Sequence, residues 1–122
     1  MTHAADVEAV CITDSDAEIL ELIRRTGRTR FPVYGEDLND VVGLLNARDF
    51  LIHLSTCDGK SLTDMLRPAY FVPESIRCSV LFGDMQQKKI HLAVVVDEYG
   101  ETAGIITMED LLEEIVGNKF AS

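Results

Sequence analysis

The sequence of 122 residues lacks tryptophan, has only three prolines and has no long apolar segment. Its longest apolar run, Leu92–Val96, is far shorter than the ~20 residues that a membrane-spanning helix needs. The first residues, Met-Thr-His-Ala-Ala-Asp, have neither the basic nor the apolar region of a signal peptide. We therefore expect the chain, as given, to be soluble.

The chain is also poor in cysteine. Cys11, Cys57 and Cys78 are odd in number and form no CxxC pair. This spacing offers neither a zinc motif nor a disulfide framework, and it favours a reducing cytosolic setting.

Positive charge is scarce: 11 Lys and Arg stand against 21 Asp and Glu, for a formal net charge of −10. Nucleic-acid affinity depends on Lys and Arg displacing counterions from phosphates. The composition therefore argues against nucleic acid as a partner. A hydrophobic fraction of 47% with 26% charged residues is typical of an ordinary globular chain, here of single-domain length.

Catalytic motifs are missing as well. The sequence contains no P-loop, no GxGxxG, and no Ser-His-Asp, Cys-His or paired-carboxylate arrangement with a plausible base. These absences predict that the protein is not an enzyme.

What the chain does contain is an internal repeat. The segment Phe31–Leu54 aligns without a gap on Leu92–Ile115, at an offset of 61 residues. Both copies have an apolar run, an acidic turn, a second apolar run after a glycine, and an amphipathic helix. The identical pairs are Val33 and Val94, Gly43 and Gly104, Asp49 and Asp110, and Leu51 and Leu112.

Local patterns place strands and helices in each half. The predicted strands are 33–34, 41–45, 93–96 and 103–106, and the predicted helices are 16–26, 47–54, 77–88 and 108–116, with a short helical turn at 61–66. Gly27 is a natural helix stop, and Asn39 and Gly100 are predicted to supply positive φ in the strand turns. The side chains predicted to face the core are Ile19, Leu20, Ile23, Val80, Leu81, Met85, Leu111, Leu112, Ile115 and Val116.

The chain resembles a pair of CBS domains, and specifically the pair of the CorC/HlyC group of magnesium and cobalt efflux or haemolysin-like proteins. The stretches that carry this resemblance are Gly27–Tyr34 (GRTRFPVY), Gly35–Gly43 (GEDLNDVVG) and, above all, Ala93–Gly117 (AVVVDEYGETAGIITMEDLLEEIVG). His3-Ala4-Ala5 departs from the Pro-Arg-Thr that is usual in the family.

This resemblance implies an α+β fold (α/β by some schemes) of tandem repeats, each β-α-β-β-α, in a pseudo-two-fold Bateman module. Repeat 1 is predicted at 7–57, a linker at 58–68 and repeat 2 at 69–119. In the family the pair lies on the cytoplasmic face of the inner membrane, between a membrane domain and a small C-terminal domain, and forms homodimers.

The candidate site begins at Thr107 and Asp110. Taken from the residues alone, a Thr followed three residues later by an acid at a helix start is better explained as a capping box. The same amides and hydroxyl also suit a phosphate, and the carboxylate suits both hydroxyls of a ribose. The resemblance implies that Thr107 and Asp110 hold AMP or ATP, which reverses that preference.

The resemblance also assigns the remaining contacts. They are Thr29, Arg30, Phe31 and Pro32 from the first repeat, His91, Leu92 and Ala93 from the second, Ile105 beneath, and Thr13 as a further candidate. For Phe31, Leu92 and Ile105 the alternative is core packing. His91 has no second His or Cys near it in sequence, so it is not expected to bind metal.

At the same offset Asn46 matches Thr107 and Asp49 matches Asp110, which predicts a weaker second site. The ribose acid is retained there, but the hydroxyl is replaced by an amide whose carbonyl repels phosphate. Arg48 adds positive charge where the second repeat has Glu109, which partly offsets that loss.

Two charge clusters have competing interpretations. The cluster Arg24, Arg25, Arg28 and Arg30 is either a helix C-terminus that favours cations or a source of phosphate contacts from Arg28 or Arg30. The cluster Glu109, Asp110, Glu113 and Glu114 is better explained as a solvated helix face than as a cation site. No metal site is expected, although Mg²⁺ can arrive bound to ATP.

The leading hypothesis is a regulatory sensor, in which an adenine nucleotide biases the two repeats and attached domains respond. The alternative is a purely structural dimerisation module without a ligand.

Overall fold

The computed structural model describes residues 1–121, with side chains described as far as Gly117. The strands are β1 (Thr2–His3), β2 (Val10–Cys11), β3 (Arg30–Tyr34), β4 (Val41–Asn46), β5 (Phe71–Pro73), β6 (Leu92–Val96) and β7 (Thr102–Thr107). The α-helices are α1 (Asp16–Thr26), α2 (Ala47–Thr56), α3 (Leu62–Met65), α4 (Cys78–Lys88) and α5 (Met108–Ala121), and Ala4–Asp6 forms a 3₁₀ turn. The predicted α+β class and the order β-α-β-β-α are confirmed in both halves.

The chain divides into two compact units. The first-repeat unit is Glu8–Ala69, and the second-repeat unit joins Met1–Val7 to the chain from Tyr70 onwards. The predicted linker 58–68 therefore belongs to the first-repeat unit, and it contains α3. Within the described residues, no helix has the length and apolar character needed to cross a membrane.

In the first-repeat unit, the sheet has the strand order β2-β3-β4. Strand β2 runs parallel to β3, whereas β3 and β4 form an antiparallel hairpin. Helices α1 and α2 contribute Ile19 and Phe50 to a core with Phe31 and Leu45, all at most 1% exposed. Alternating apolar side chains on short strands produce this core because successive side chains point to opposite faces of a sheet.

Helix α1 has the bounds that its sequence predicts. The Ser15 hydroxyl accepts a hydrogen bond from the Glu18 amide, and the Glu18 carboxylate accepts one from the Ser15 amide. At the other end Gly27 adopts φ 65°, and its N–H donates to the Ile23 carbonyl. A capping box and a left-handed glycine thus fix both ends of the helix.

In the second-repeat unit, the sheet has the strand order β1-β7-β6-β5. Its core includes Val72, Leu81, Met85 and Leu111. The N-terminal strand β1 pairs antiparallel with β7, with Thr2 opposite Ile105 and His3 opposite Gly104. A Cβ at Gly104 would overlap the Thr2 carbonyl oxygen, so this close approach of two strands requires glycine.

The first-repeat unit has a matching feature. Leu44 and Arg67 exchange backbone hydrogen bonds of 2.8 and 2.9 Å. A Cβ at Gly43 would lie 2.9 Å from the Arg67 carbonyl oxygen. Because Leu44 aligns with Ile105 in the repeat, Arg67 occupies the position that Thr2 occupies in the second-repeat unit.

The two strand turns correct one prediction. Gly100 has φ 82°, as expected, but Asn39 is not among the described residues with positive φ. An aspartate organises both turns instead: the Asp37 carboxylate accepts from the Asn39 amide, and the Asp97 carboxylate accepts from the amides of Tyr99 and Glu101. In the first turn the Asp37 bond closes the turn without a positive φ at Asn39, whereas the second turn combines the Asp97 bonds with the left-handed Gly100.

Four side chains predicted to face the core are exposed instead: Leu20 (41%), Val80 (51%), Leu112 (51%) and Val116 (41%). Leu20, Val80 and Leu112 lie beside the buried Ile19, Leu81 and Leu111, and Val116 lies beside the half-buried Ile115. Adjacent residues are ~100° apart around a helix, so only one of two neighbouring apolar residues faces the sheet directly.

Candidate nucleotide site

The centre of the candidate site is the junction of β7 and α5, where Thr107 and Asp110 form a capping box. The Asp110 amide donates to the Thr107 hydroxyl at 3.2 Å, and the Thr107 amide donates to Asp110 Oδ2 at 3.1 Å. Both residues are half-buried. The capping box predicted from the sequence is therefore confirmed. Asp110 Oδ1 and the Thr107 hydroxyl proton take no part in this capping box.

Three predicted contact residues lie directly beside this junction. Leu92 and Ala93 begin β6 and pair with Thr107 and Ile106. The His91 carbonyl accepts a hydrogen bond from the Met108 amide at 3.1 Å, while the His91 residue is exposed. Strand pairing thus brings 91–93 next to the start of α5.

Leu92, Ala93 and Ile105 are buried, with exposed fractions of 2%, 0% and 4%. They belong to the apolar interior of the protein, which is the packing role that the sequence left open for Leu92 and Ile105. Burial of this kind fixes the backbone that carries Thr107.

The first-repeat unit builds the same junction from β4 and α2. Asn46 caps α2: its side-chain oxygen accepts from the amides of Arg48 (2.9 Å) and Asp49 (3.3 Å). Arg30 pairs with Asn46 across the hairpin, and the Ala47 amide donates to the Thr29 carbonyl at 2.8 Å. Within their own unit, Thr29 and Arg30 therefore lie beside Asn46.

Asp49 differs from Asp110 in its partner. The Arg67 guanidinium donates from Nε at 3.1 Å and from Nη2 at 2.8 Å, both to Asp49 Oδ2. This ion pair takes the place of the reciprocal carboxylate bond that Asp110 makes. Sequence reasoning missed Arg67, because nothing in the local sequence links it to a residue 18 positions earlier.

Phe31 and Pro32 are buried within β3, whereas Thr13 is exposed in the turn after β2. Cys11, at the end of β2, pairs with Tyr34 at the far end of β3 from Arg30. Thr13 thus lies near the Tyr34 end of β3, the end opposite Arg30, and the two ends of this five-residue strand are roughly 13 Å apart.

The arginine cluster is partly engaged in surface ion pairs. Arg24 contacts Glu21 at 2.7 Å and Arg25 contacts Glu8 at 3.2 Å. The hydrogen bond from Arg24 lowers the pKa of Glu21, and the one from Arg25 lowers the pKa of Glu8. Arg30 makes a hydrogen bond from Nη1 to the Thr29 hydroxyl at 3.1 Å. The interpretation of the cluster as a helix C-terminus fits Arg24 and Arg25.

Asp110 also borders a cavity of about 290 Å³ within the second-repeat unit. Its wall is formed by Met1, Pro73, Glu74, Ile76, Cys78, Leu81, Val95, Ile106, Asp110 and Glu114. The sequence did not suggest this cavity. Among the side chains that the structure describes, no group of three or more His, Cys, Asp or Glu is arranged to hold a metal ion.

Comparison with known families decides what these two junctions belong to. The CBS domain pattern matches the chain twice, over residues 1–56 and 60–117. The chain belongs to the CBS domain family. The two units are therefore two CBS repeats, and the resemblance inferred from the sequence is confirmed.

Among curated relatives, the chain is 38% identical over 118 residues to the magnesium and cobalt efflux protein CorC of Vibrio cholerae. That alignment covers 96% of this chain and 37% of the relative. The chain thus spans little more than a third of the length of that protein.

Two solved structures are similar over nearly the whole chain. The CBS domain of a bacterial CNNM/CorC family Mg²⁺ transporter in complex with ATP is 37% identical, with a TM-score of 0.87 and coverage of 96% of this chain and 84% of that one. A CBS-domain pair with bound AMP from Klebsiella pneumoniae is 29% identical, with a TM-score of 0.79 and coverage of 96% and 94%.

Proposed function

We propose that this CBS pair binds an adenine nucleotide through Thr107 and Asp110 of the second repeat. The observation that carries the proposal is the capping box itself, which holds a hydroxyl and a carboxylate on one helix turn with hydrogen-bonding capacity left over. Similar CBS structures contain ATP or AMP, which supports the choice of ligand class.

The chemistry of a nucleotide matches these two groups. The ribose offers two hydroxyl donors, and a carboxylate with a free oxygen accepts from them. The phosphate is an acceptor, which the Thr107 hydroxyl and the positive end of α5 favour. A nucleotide could bind without breaking the helix cap, because the cap uses only one oxygen of Asp110 and the other oxygen can accept from ribose.

The first-repeat candidates remain proposed contacts, and Arg30 is the one among them that carries a charge. In its own unit Arg30 lies beside Asn46 and offers a guanidinium to phosphate, whereas Phe31 and Pro32 are buried. Arg30→Ala should weaken binding of ATP more than binding of AMP, because the additional phosphates carry the additional charge. Arg24→Ala, which removes an arginine paired with Glu21, is the matched control.

The biological role that follows is regulation rather than catalysis. The relation to CorC supports a module of a CorC-like magnesium and cobalt efflux or haemolysin-like protein, attached to a membrane domain and a C-terminal domain at the cytoplasmic face. Nucleotide binding would shift the CBS repeats, and the attached domains would respond. Mg²⁺ would enter with ATP, held mainly by its phosphates.

Calorimetric titration with AMP, ADP and Mg-ATP tests the proposal. A lost hydrogen bond to a charged group costs about 1.5–3 kcal/mol, so Asp110→Ala should weaken binding about 10- to 100-fold. Glu109→Ala makes the same charge change one residue earlier at an exposed position and should retain affinity. Unchanged affinity in folded Asp110→Ala protein would refute the assignment.

A second candidate function, a dimerisation module, is favoured by the exposed apolar side chains of α5. Leu112 and Val116 are 51% and 41% exposed and lie four residues apart, on one face of the helix. We propose a homodimer that covers this face, since closed two-fold pairing is the commonest homo-oligomer.

Sedimentation of the wild type and of Leu112→Glu separates the possibilities. A dimeric wild type and a monomeric variant would support the interface. A wild type with the 13.5 kDa mass of one chain at tens of micromolar would contradict it. Dimerisation without any nucleotide binding would favour the purely structural function.

A further inference from the structure

The two aligned carboxylates, Asp110 in the second repeat and Asp49 in the first, accept hydrogen bonds from different kinds of donor. Asp110 accepts a neutral backbone N–H, whereas Asp49 accepts two N–H groups from one guanidinium. The difference comes from the residue that pairs with each hairpin: Arg67 forms an isolated bridge with Leu44, whereas Thr2 of β1 pairs with the equivalent Ile105.

The Arg67 side chain projects from an anchored backbone. Its amide and carbonyl both bond to Leu44, at 2.9 and 2.8 Å. Leu44 lies two residues before the Asn46 cap, so the arginine is held beside the first turn of α2. The guanidinium then reaches Asp49 Oδ2 at 2.8 Å while 60% of the arginine side chain stays exposed.

We propose that Arg67 is a specificity-determining residue that withholds Asp49 from nucleotides and confines binding to the second repeat. This inference rests on the proposed function, because it assumes that the equivalent Asp110 binds ribose. The ion pair between Arg67 and Asp49, rather than Asn46 alone, prevents nucleotide binding at the first repeat.

The physical reason is competition for one carboxylate. A charged donor makes a hydrogen bond to carboxylate that is about twice as strong as a neutral one, and ribose hydroxyls are neutral donors. Both guanidinium bonds end on Asp49 Oδ2, so Oδ1 remains, but a carboxylate that already accepts from a cation is a weaker acceptor for a neutral ribose hydroxyl. The backbone pairing of Arg67 with Leu44 keeps the guanidinium close to Asp49.

The test uses Asp110→Ala as the starting protein, because any strong binding then has to come from the first repeat. Asn46→Thr is added to restore the hydroxyl that Thr107 provides in the second repeat. Arg67→Thr is then added, which introduces the residue found at the equivalent Thr2. The last variant carries Asp49→Ala in addition. AMP is titrated calorimetrically into each, and into the wild type.

The expected result is that Asp110→Ala/Asn46→Thr/Arg67→Thr binds AMP about two- to fivefold more tightly than Asp110→Ala/Asn46→Thr, as suits an exposed ion pair, and that Asp49→Ala abolishes the gain. Equal binding with and without Arg67 in folded proteins would overturn the proposal. A gain that survives Asp49→Ala would overturn it too.

Arg67→Gln, which keeps a long polar side chain without charge, should produce the same gain. If both Arg67 variants unfold, Arg67 has a structural role and the inference is wrong. Failure of the proposed function is recognised separately, since the wild type would then bind no nucleotide. Wild-type binding without any gain from Arg67 removal would refute the Arg67 inference alone.

Discussion

Gly104 lies against the carbonyl oxygen of Thr2, so closely that a methyl group at residue 104 would overlap that oxygen. The pairing of β1 with β7 therefore depends on the absence of a side chain at this position. Strand β7 continues from Gly104 to Thr107, so the strand that pairs with the edge strand β1 also carries the candidate site.

Gly104→Ala should displace β1 and destabilise the protein by about 1–3 kcal/mol, the usual cost of overpacking. Urea unfolding measures the loss, and hydrogen exchange should show reduced protection around Gly104 and Ile105. Wild-type stability together with wild-type protection would show that the pairing of β1 with β7 accommodates a methyl group without cost.

Gly83→Ala is predicted to act in the opposite direction. Gly83 lies inside α4, is exposed, and has no atom within 4 Å of the position that a Cβ would take. Alanine in an exposed helix interior is more favourable than glycine by about 0.5–1 kcal/mol. The urea midpoint should rise with an unchanged m-value, and a fall would contradict the placement of α4.

Ser15→Ala should lower the free energy of unfolding by about 1 kcal/mol, because it removes the hydroxyl that caps α1. Ser79→Ala is the matched control, since Ser79 is an exposed serine in the first turn of α4 but is not the N-cap, which is Arg77. Equal effects of the two substitutions would mean that the capping box contributes nothing.

The loss of folding stability at acid pH should depend on Asp58. The hydrogen bond with His53, and then that from the Lys60 amide, lowers the pKa of Asp58 below its ordinary value of 3.8. A carboxyl whose pKa is lowered by folding stabilises the protein above its unfolded pKa, and this contribution is lost as the pH falls through the folded value.

Asp58→Asn should therefore lose less stability than the wild type when the pH is lowered from about 5 to about 2. Thermal unfolding across that interval measures the difference. Parallel pH profiles for the two proteins would show that Asp58 does not contribute.

Helix α1 shows what the sequence predicts well. Ser15 and Gly27 are local signals at its two ends, and the predicted range 16–26 is the observed one. The predicted strands were one to three residues short, because the polar ends Arg30, Asn46 and Thr102 are held by pairing with a neighbouring strand rather than by composition.

The orientation of neighbouring apolar residues was harder to predict. Leu111 is fully buried and Leu112 is half exposed, although the two leucines are adjacent and each is flanked by an acidic residue on its other side. Which of the two faces the sheet depends on where α5 packs, and a single helix does not encode that.

The candidate site divides in the same way. The Thr107–Asp110 pair could be found because three-residue spacing is a property of one helix turn. Arg67 could not, because its approach to Asp49 depends on a backbone pairing with Leu44, and the repeat that aligns Asn46 with Thr107 does not extend to it.

The placement of Met1–Val7 in the second-repeat unit has a consequence for biosynthesis. Glu8–Ala69 is contiguous, so it can fold once it has left the ribosome, and domains generally fold as units during synthesis. Thr2 and His3 are made earlier, yet their partner strand β7 emerges about a hundred residues later. Strand β1 thus stays without its native partner until the second repeat has been made, and a chain arrested after the first repeat would carry β1 unpaired.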